Sequence, residues 1–179
     1  MRLNPETIHR LNPEERIRSF DEMPGLIREL GRAGLNVLLV QGVFDIVHAG
    51  HTGLLQATRR IDPANSVVVV GLENDDTVRR NKGNRRPVNP LDDRLRVMAE
   101  FRSVAYAFGY DDVPRYDHPE DYLERWRALS PAAVVAATWD PHRNLKEWQA
   151  DEAGTQLALV DYQHENSTTR MLRTVGYEE

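Results

Sequence analysis

Apolar residues in this chain fall into two patterns that alternate along it: short unbroken runs, and longer stretches in which they recur every three or four positions. The run Val37-Leu38-Leu39-Val40 has strand length and ends at Gln41-Gly42, and Leu54, Leu55 and Ala57 then mark one face of a helix over 52–60. Ser66-Val67-Val68-Val69-Val70-Gly71-Leu72 is β-branched with no polar alternation, as in a strand covered on both faces of a parallel sheet. Leu91, Leu95, Met98 and Phe101 repeat at helical spacing, and 104–108 reads as a third strand. A helix over 119–129 carries Tyr122 and Trp126 and closes at Ser130-Pro131, before a fourth strand over 132–137. The spacing predicts a helix over 145–153 ended by Gly154, a fifth strand over 157–160, and a last helix over 168–174 capped by Asn166-Ser167.

Upstream, residues 1–12 read as a loose arm. Asn12-Pro13-Glu14-Glu15 supplies an N-cap, a proline at the first helical position and acids in the first turn, so a helix is expected to start there. Met23, Leu26, Ile27 and Leu30 continue the helical spacing, and Gly31 and Gly34 end it. Strands alternating with helices imply an α/β fold: a single doubly wound, Rossmann-like parallel five-stranded sheet with helices on both faces. The expected division is 1–36 as an N-terminal arm and covering helix, and 37–179 as the α/β domain proper.

Composition narrows this picture. At 179 residues, the chain fits one domain with a proper core. It has no cysteine, which excludes a thiol nucleophile and thiolate metal sites and suits a cytoplasmic location. No apolar stretch has membrane-spanning length, and Met1-Arg2-Leu3-Asn4-Pro5-Glu6 lacks a signal core. With a net charge of −5 there is no general basic field, so nucleic acid is not an expected partner.

The chemistry concentrates where the first strand ends. Gly42-Val43-Phe44-Asp45-Ile46-Val47-His48-Ala49-Gly50-His51 joins a strand to a helix, and such a junction collects backbone N–H groups and the positive end of the helix dipole at one point. That is an anion site, and His48 and His51 stand beside it. Two other readings stay open here: a metal held by Asp45, His48 and His51, and histidines that merely pack. A second signal is the run Arg79-Arg80-Asn81-Lys82-Gly83-Asn84-Arg85-Arg86-Pro87, five cations with no acid, either a solvated face or a clamp on phosphate oxygens. A third is Asn166-Ser167-Thr168-Thr169, whose hydroxyls either cap a helix or bind phosphate. The Gly-x-Ser-x-Gly elbow and the Gly-x-x-x-x-Gly-Lys-Ser/Thr loop are both absent, which argues against a serine hydrolase and an ordinary kinase.

The stretch 42–51 resembles the Gly-x-Phe-Asp-x-x-His-x-Gly-His signature of the nucleotidyltransferase superfamily. The segment 75–94 is similar to heptose-1-phosphate adenylyltransferase domains, to archaeal FAD synthetases and, more distantly, to glycerol-3-phosphate cytidylyltransferases, while Ser167-Thr168-Thr169 matches their last motif. The resemblance implies transfer of AMP or CMP from ATP or CTP to a small phosphate- or phosphonate-bearing acceptor, with magnesium carried on the triphosphate. It makes His48, His51 and Lys82 catalytic, and places Gly42, Val43, Phe44, Gly50, Arg85, Arg86, Ser167 and Thr168 against the nucleotide and its phosphates. A homodimer is compatible with it. Relatives commonly carry Gly-Gly-Asp-Tyr or Gly-Asp-Asp-Trp where this chain has Ala136-Ala137-Thr138-Trp139-Asp140, so Thr138, Trp139 and Asp140 are expected to line the acceptor or base pocket; relatives also often carry a basic residue in place of Leu172. A nucleotide-binding sensor without transfer activity, and a metal-dependent hydrolase built on Asp45, His48 and His51, are the competing expectations.

Overall fold

Seven consecutive buried residues make β3 (Ser66–Leu72) the spine of the molecule, and in the computed structural model it is sandwiched between two helical layers. The structure describes residues 4–115, 117–162 and 168–177. Side chains alternate across a strand, so Val67 and Val69 enter one core and Val68 and Val70 the other. Each such fully buried aliphatic side chain contributes about 1.5–3 kcal/mol of transfer free energy.

Among the described residues six strands form one sheet in the order β1-β4-β3-β2-β5-β6, with every pair parallel. They are β1 (Ile17–Arg18), β2 (Asn36–Gly42), β3, β4 (Tyr106–Gly109), β5 (Ala133–Ala137) and β6 (Gln156–Val160). Helices α2 (Met23–Arg32), α6 (Leu123–Leu129) and α7 (Arg143–Ala153) cover one face, and α3 (Ala49–Arg59) and α5 (Leu91–Glu100) the other. The chain leaves β2 for β3 on one side and later returns to set β5 on the other, so the carboxyl ends of β2 and β5 flank the topological switch point where such sheets bind ligands. Among the described residues no helix is long and apolar enough to cross a membrane.

The doubly wound architecture agrees with the expectation; the strand count is six rather than five. The additional strand lies in the N-terminal segment, where a continuous helix from residue 13 was expected. Pro13–Arg16 instead forms a single 3-10 turn, two residues pair with β4 as β1, and a second 3-10 turn (Phe20–Glu22) leads into α2. Arg16 explains the break: it is buried, and its Nη1 donates to the Val104 carbonyl at 3.0 Å, a tertiary bond that draws the chain off the helical path. The supposedly loose arm holds α1 (Pro5–His9), closed by a reciprocal Asn4–Thr7 capping box and anchored by buried Ile8. Likewise, the basic stretch is not all loop, because its first half is the last turn of α4 (Asp75–Lys82), which ends at Gly83 with φ +92°.

Candidate active site

At the carboxyl end of β2 the chain makes a turn that only a particular set of residues tolerates. Phe44 sits at φ 49°, a left-handed conformation costing on the order of 1 kcal/mol for a non-glycine residue, and its buried ring folds back over Gly42. A Cβ on Gly42 would stand 3.2 Å from that ring. The turn delivers His48 as the N-cap of α3, where its Nδ1 accepts the Gly50 N–H at 3.1 Å. His51 reciprocates, its Nδ1 accepting the His48 N–H at 3.3 Å.

The two imidazoles are thereby fixed in place and in tautomer. Their centroids are 3.9 Å apart at an interplanar angle of 31°, and the His51 ring lies 5.0 Å from Phe44. Because each Nδ1 accepts a backbone N–H, the ring hydrogen of each neutral histidine resides on Nε2. A pair of ring N–H donors therefore stands at the positive end of an eleven-residue helix.

Asp45 is not available to a metal. Its buried carboxylate accepts from Arg86 Nε at 2.9 Å, from Val88 N at 2.9 Å and from Asn89 N at 2.8 Å, while Asn89 Nδ2 donates to its carbonyl at 2.7 Å. Both Nδ1 atoms of the histidine pair are engaged as well. Among the described residues, the one His/carboxylate group compact enough for an ion is His118, Glu120 and Asp121, which shares no member with that trio. Arg94, also buried, completes the scaffold: its guanidinium donates to Val43 O (2.7 Å), Asn89 O (3.0 Å) and Asp75 Oδ1 (2.6 Å). Asp45 and Arg94 thus weld the histidine turn to the loop that follows α4.

The five cations divide among different tasks. Arg79 pairs with Asp76 and Arg80 donates to Val113 O, both on the surface. Exposed Lys82 ends α4, and the Arg85 guanidinium lies 4.4 Å from the centroid of the Tyr177 ring. Arg86 has a different job from the phosphate contact expected of it, since it is 3% exposed and is the ion-pair partner of Asp45. Thr168, at the start of α8 (Thr168–Thr174), donates through Oγ1 to Ile46 O at 3.2 Å, which brings the third motif against the first. Ser167 lies outside the described residues. Leu172, where relatives often carry a basic residue, is buried.

Beyond β5, Thr138 N continues the ladder by donating to Val160 O, and Trp139 stands 49% exposed with its Nε1 bonded to Tyr162 O at 3.2 Å. Asp140 faces Lys146 at 2.6 Å. Burial pushes the Asp140 carboxyl up, but the Lys146 ammonium and the His142 N–H outweigh it and hold it below the usual carboxylate range. Burial, with Asp140 adding to it, pushes the Tyr162 phenol up to about 12.

A cavity of about 160 Å³ adjoins Gly42, with Gln41, Glu73, Tyr122, His142 and Lys146 among its lining residues. Glu73 is buried in a bidentate pair with Arg125 at 2.9 and 3.0 Å, and Arg125 also holds Asp112 and stacks 3.8 Å over Tyr110. Nothing in local sequence pattern marks these residues, because their partners are 13 to 52 positions away.

The sequence model of the family described as cytidylyltransferase-like matches residues 39–172. Similar proteins include the bifunctional protein HldE of Gluconacetobacter diazotrophicus, 41% identical over 142 residues (78% of this chain, 27% of that protein), and that of Streptomyces coelicolor, 37% identical over 139 residues (76% and 27%). The chain thus spans about a quarter of the length of these curated relatives. Among solved structures, the lipopolysaccharide core biosynthesis protein of Thermoplasma volcanium aligns with a TM-score of 0.54 at 20% identity, covering 73% of this chain and 98% of that one. Pantothenate synthetase of Thermus thermophilus aligns at 0.57 and 13% identity, covering 84% and 63%. At these identities the structural likeness shows the fold.

Proposed function

This chain belongs to the cytidylyltransferase-like family, a family of nucleotidyltransferases, and we propose that it transfers AMP or CMP from the triphosphate to a small acceptor bearing a phosphate or phosphonate oxygen, releasing pyrophosphate. The observation that carries this reading is the locked histidine pair: two Nε2–H donors, oriented by backbone amides, at the N-terminus of α3. The acceptor oxygen is anionic near neutrality and attacks the α-phosphorus in line, so no strong base and no covalent residue is needed; positioning and charge stabilisation suffice. His48 and His51 donate to the oxygens that gain charge at the α-phosphorus. Lys82 and Arg85 neutralise the departing pyrophosphate, Thr168 contributes at the outer phosphates, and magnesium arrives with the triphosphate as part of the substrate.

The cavity beside Gly42 is the natural seat for the acceptor, since it touches the chain where the histidine turn begins and offers hydrogen-bonding groups: the Gln41 amide, the Glu73 carboxylate, His142 and Lys146. The resemblance of 75–94 to heptose-1-phosphate adenylyltransferases puts ATP with a sugar phosphate first among the pairs to try. The test is a pyrophosphate-release screen crossing ATP, CTP, GTP and UTP with sugar phosphates, alcohol phosphates, flavin mononucleotide and small phosphonates. Release above background in one combination, lost in a His51→Ala variant, is the expected result. Tight triphosphate binding with no release in any combination would instead favour a sensor.

Two substitutions separate the parts of this site. Lys82→Ala raises the Michaelis constant for the triphosphate by about tenfold, the worth of a charge-assisted contact, whereas Arg60→Ala, which removes an exposed charge at the C-cap of α3, leaves it unchanged. Steady-state kinetics on both variants decide this, and equal effects would reduce Lys82 to a surface charge. Trp139→Ala raises the Michaelis constant for one substrate and spares the melting temperature, because the ring is half exposed. A loss of stability with unchanged Michaelis constants would make Trp139 a packing residue only.

A further inference from the structure

At the opposite end of the sheet, before the strands begin, three arginines and a histidine converge. Arg59 is the last residue of α3, His9 the last of α1, and Arg16 reaches the Val104 carbonyl just ahead of β4, in the turn that carries Arg102. Although the chain is acidic overall, none of the three guanidinium groups has a carboxylate ion-pair partner among the described residues.

The cluster also leaves two donors without acceptors. Arg59 Nη1 lies 2.7 Å from His9 Nε2; a guanidinium can only donate, so Nε2 accepts and the neutral ring carries its hydrogen on Nδ1. That Nδ1 is buried with no hydrogen-bond partner, and so is Nε of Arg16, a residue only 6% exposed. Buried N–H groups without acceptors are uncommon, and buried charges are normally paired. The carbonyl ends of α3 and α5 favour cations nearby, which accounts for Arg59 and Arg102 in part, but they leave these two N–H groups unanswered. The local field is strong enough to act on His9, whose pKa is pushed down to about 4, first by burial and then by Arg59, Arg16 and Arg102. An opening of about 360 Å³, lined by Asn4, Pro5, Glu6, Arg59, Pro63 and Ala64, touches the cluster at Arg59; His9, Arg16 and Arg102 do not line it.

We propose that Arg16, Arg59, Arg102 and His9 form a second anion site, remote from the transfer site, that binds a small phosphate-bearing molecule. Tetrahedral phosphate supplies several acceptor oxygens at once, which suits two or more guanidinium groups and a ring N–H approaching from different elements. The ligand would tie α1 and the 3-10 turn of 13–16 to the C-terminus of α3, and so act on the fold from the end where no chemistry occurs.

The test uses the full chain with inorganic phosphate as the probe and follows the imidazole signals by NMR, with His9 assigned through His9→Gln. A saturable shift of the His9 signals is expected, accompanied by a rise in its titration midpoint, since a bound anion favours the protonated ring. Arg59→Gln should weaken the response by about tenfold or more, while His48→Ala should leave it intact. Should Arg59→Gln fail to fold, Arg102→Gln, which alters an exposed side chain, should weaken it in the same direction. Silence of the His9 signals up to saturating phosphate, an undiminished response in the arginine variants, or its disappearance in His48→Ala would each overturn the proposal.

Discussion

Replacing His48 or His51 with alanine lowers turnover by about a hundredfold or more, some 2.7 kcal/mol of transition-state stabilisation, because each ring donates where charge develops. The structure adds a second, smaller effect. Each ring also holds a backbone N–H through Nδ1, so His48→Ala removes a helix cap and costs about 1 kcal/mol of stability. Asparagine separates the two roles: its side-chain oxygen can take over the Nδ1 position, but nothing replaces Nε2–H. His48→Asn should therefore recover the melting temperature of the unsubstituted chain and remain about a hundredfold slow. Initial rates of pyrophosphate release beside thermal melts check this. Turnover near normal in the asparagine variant would mean that the histidine is only a cap.

The second large effect is on stability. Asp45→Ala takes the carboxylate away from the buried Arg86 guanidinium and leaves the Val88 and Asn89 amides without that acceptor, a loss of about 3–5 kcal/mol by the measure of broken buried pairs. For a chain of this size that is a drop of roughly 10 °C or more in melting temperature. Coupling Asp45→Ala with Arg86→Met should recover part of the loss, since the buried charge that Asp45 answered goes with it. Chemical denaturation of both single variants and the double variant measures the coupling. A loss below about 1 kcal/mol in Asp45→Ala would show that the pair does not secure the turn. Activity lost through Asp45→Ala should not return on adding divalent metal, which separates this scaffold role from the metal-dependent hydrolase.

How legible all this was in the chain follows from the range of the forces involved. β2, β3 and the turn at 42–51 announce themselves locally, through β-branched runs and a glycine between strand and helix, and the structure places them as expected. The cations of 79–87 illustrate the limit. In sequence Arg85 and Arg86 are equivalent neighbours, yet one lies over Tyr177 and the other is buried on an aspartate 41 residues earlier. Arg94 and Arg125 were invisible for the same reason: an arginine on a helix looks like surface until its distant carboxylate is known. α1 does not show in the sequence, although Asn4-Pro5-Glu6-Thr7 carries the same start signals as Asn12-Pro13-Glu14-Glu15, since five residues are too few for an apolar repeat to mark a helix.

The two-residue strand β1 bears on how copies of this chain behave toward one another. Without it, β4 would be the outer strand of the sheet, with its outward N–H and C=O groups open to any other extended chain. β1 occupies those groups at Ile17 and Arg18, and Arg18 also sets its guanidinium 5.8 Å from the centroid of the Tyr106 ring. Its own outer edge is then too short, with a proline-led 3-10 turn on one side and a second 3-10 turn on the other, to template a ladder. The N-terminal segment thus closes the β4 edge of the sheet to pairing between copies, independently of anything that happens at the histidines, and leaves β6 as the outer strand on the other side.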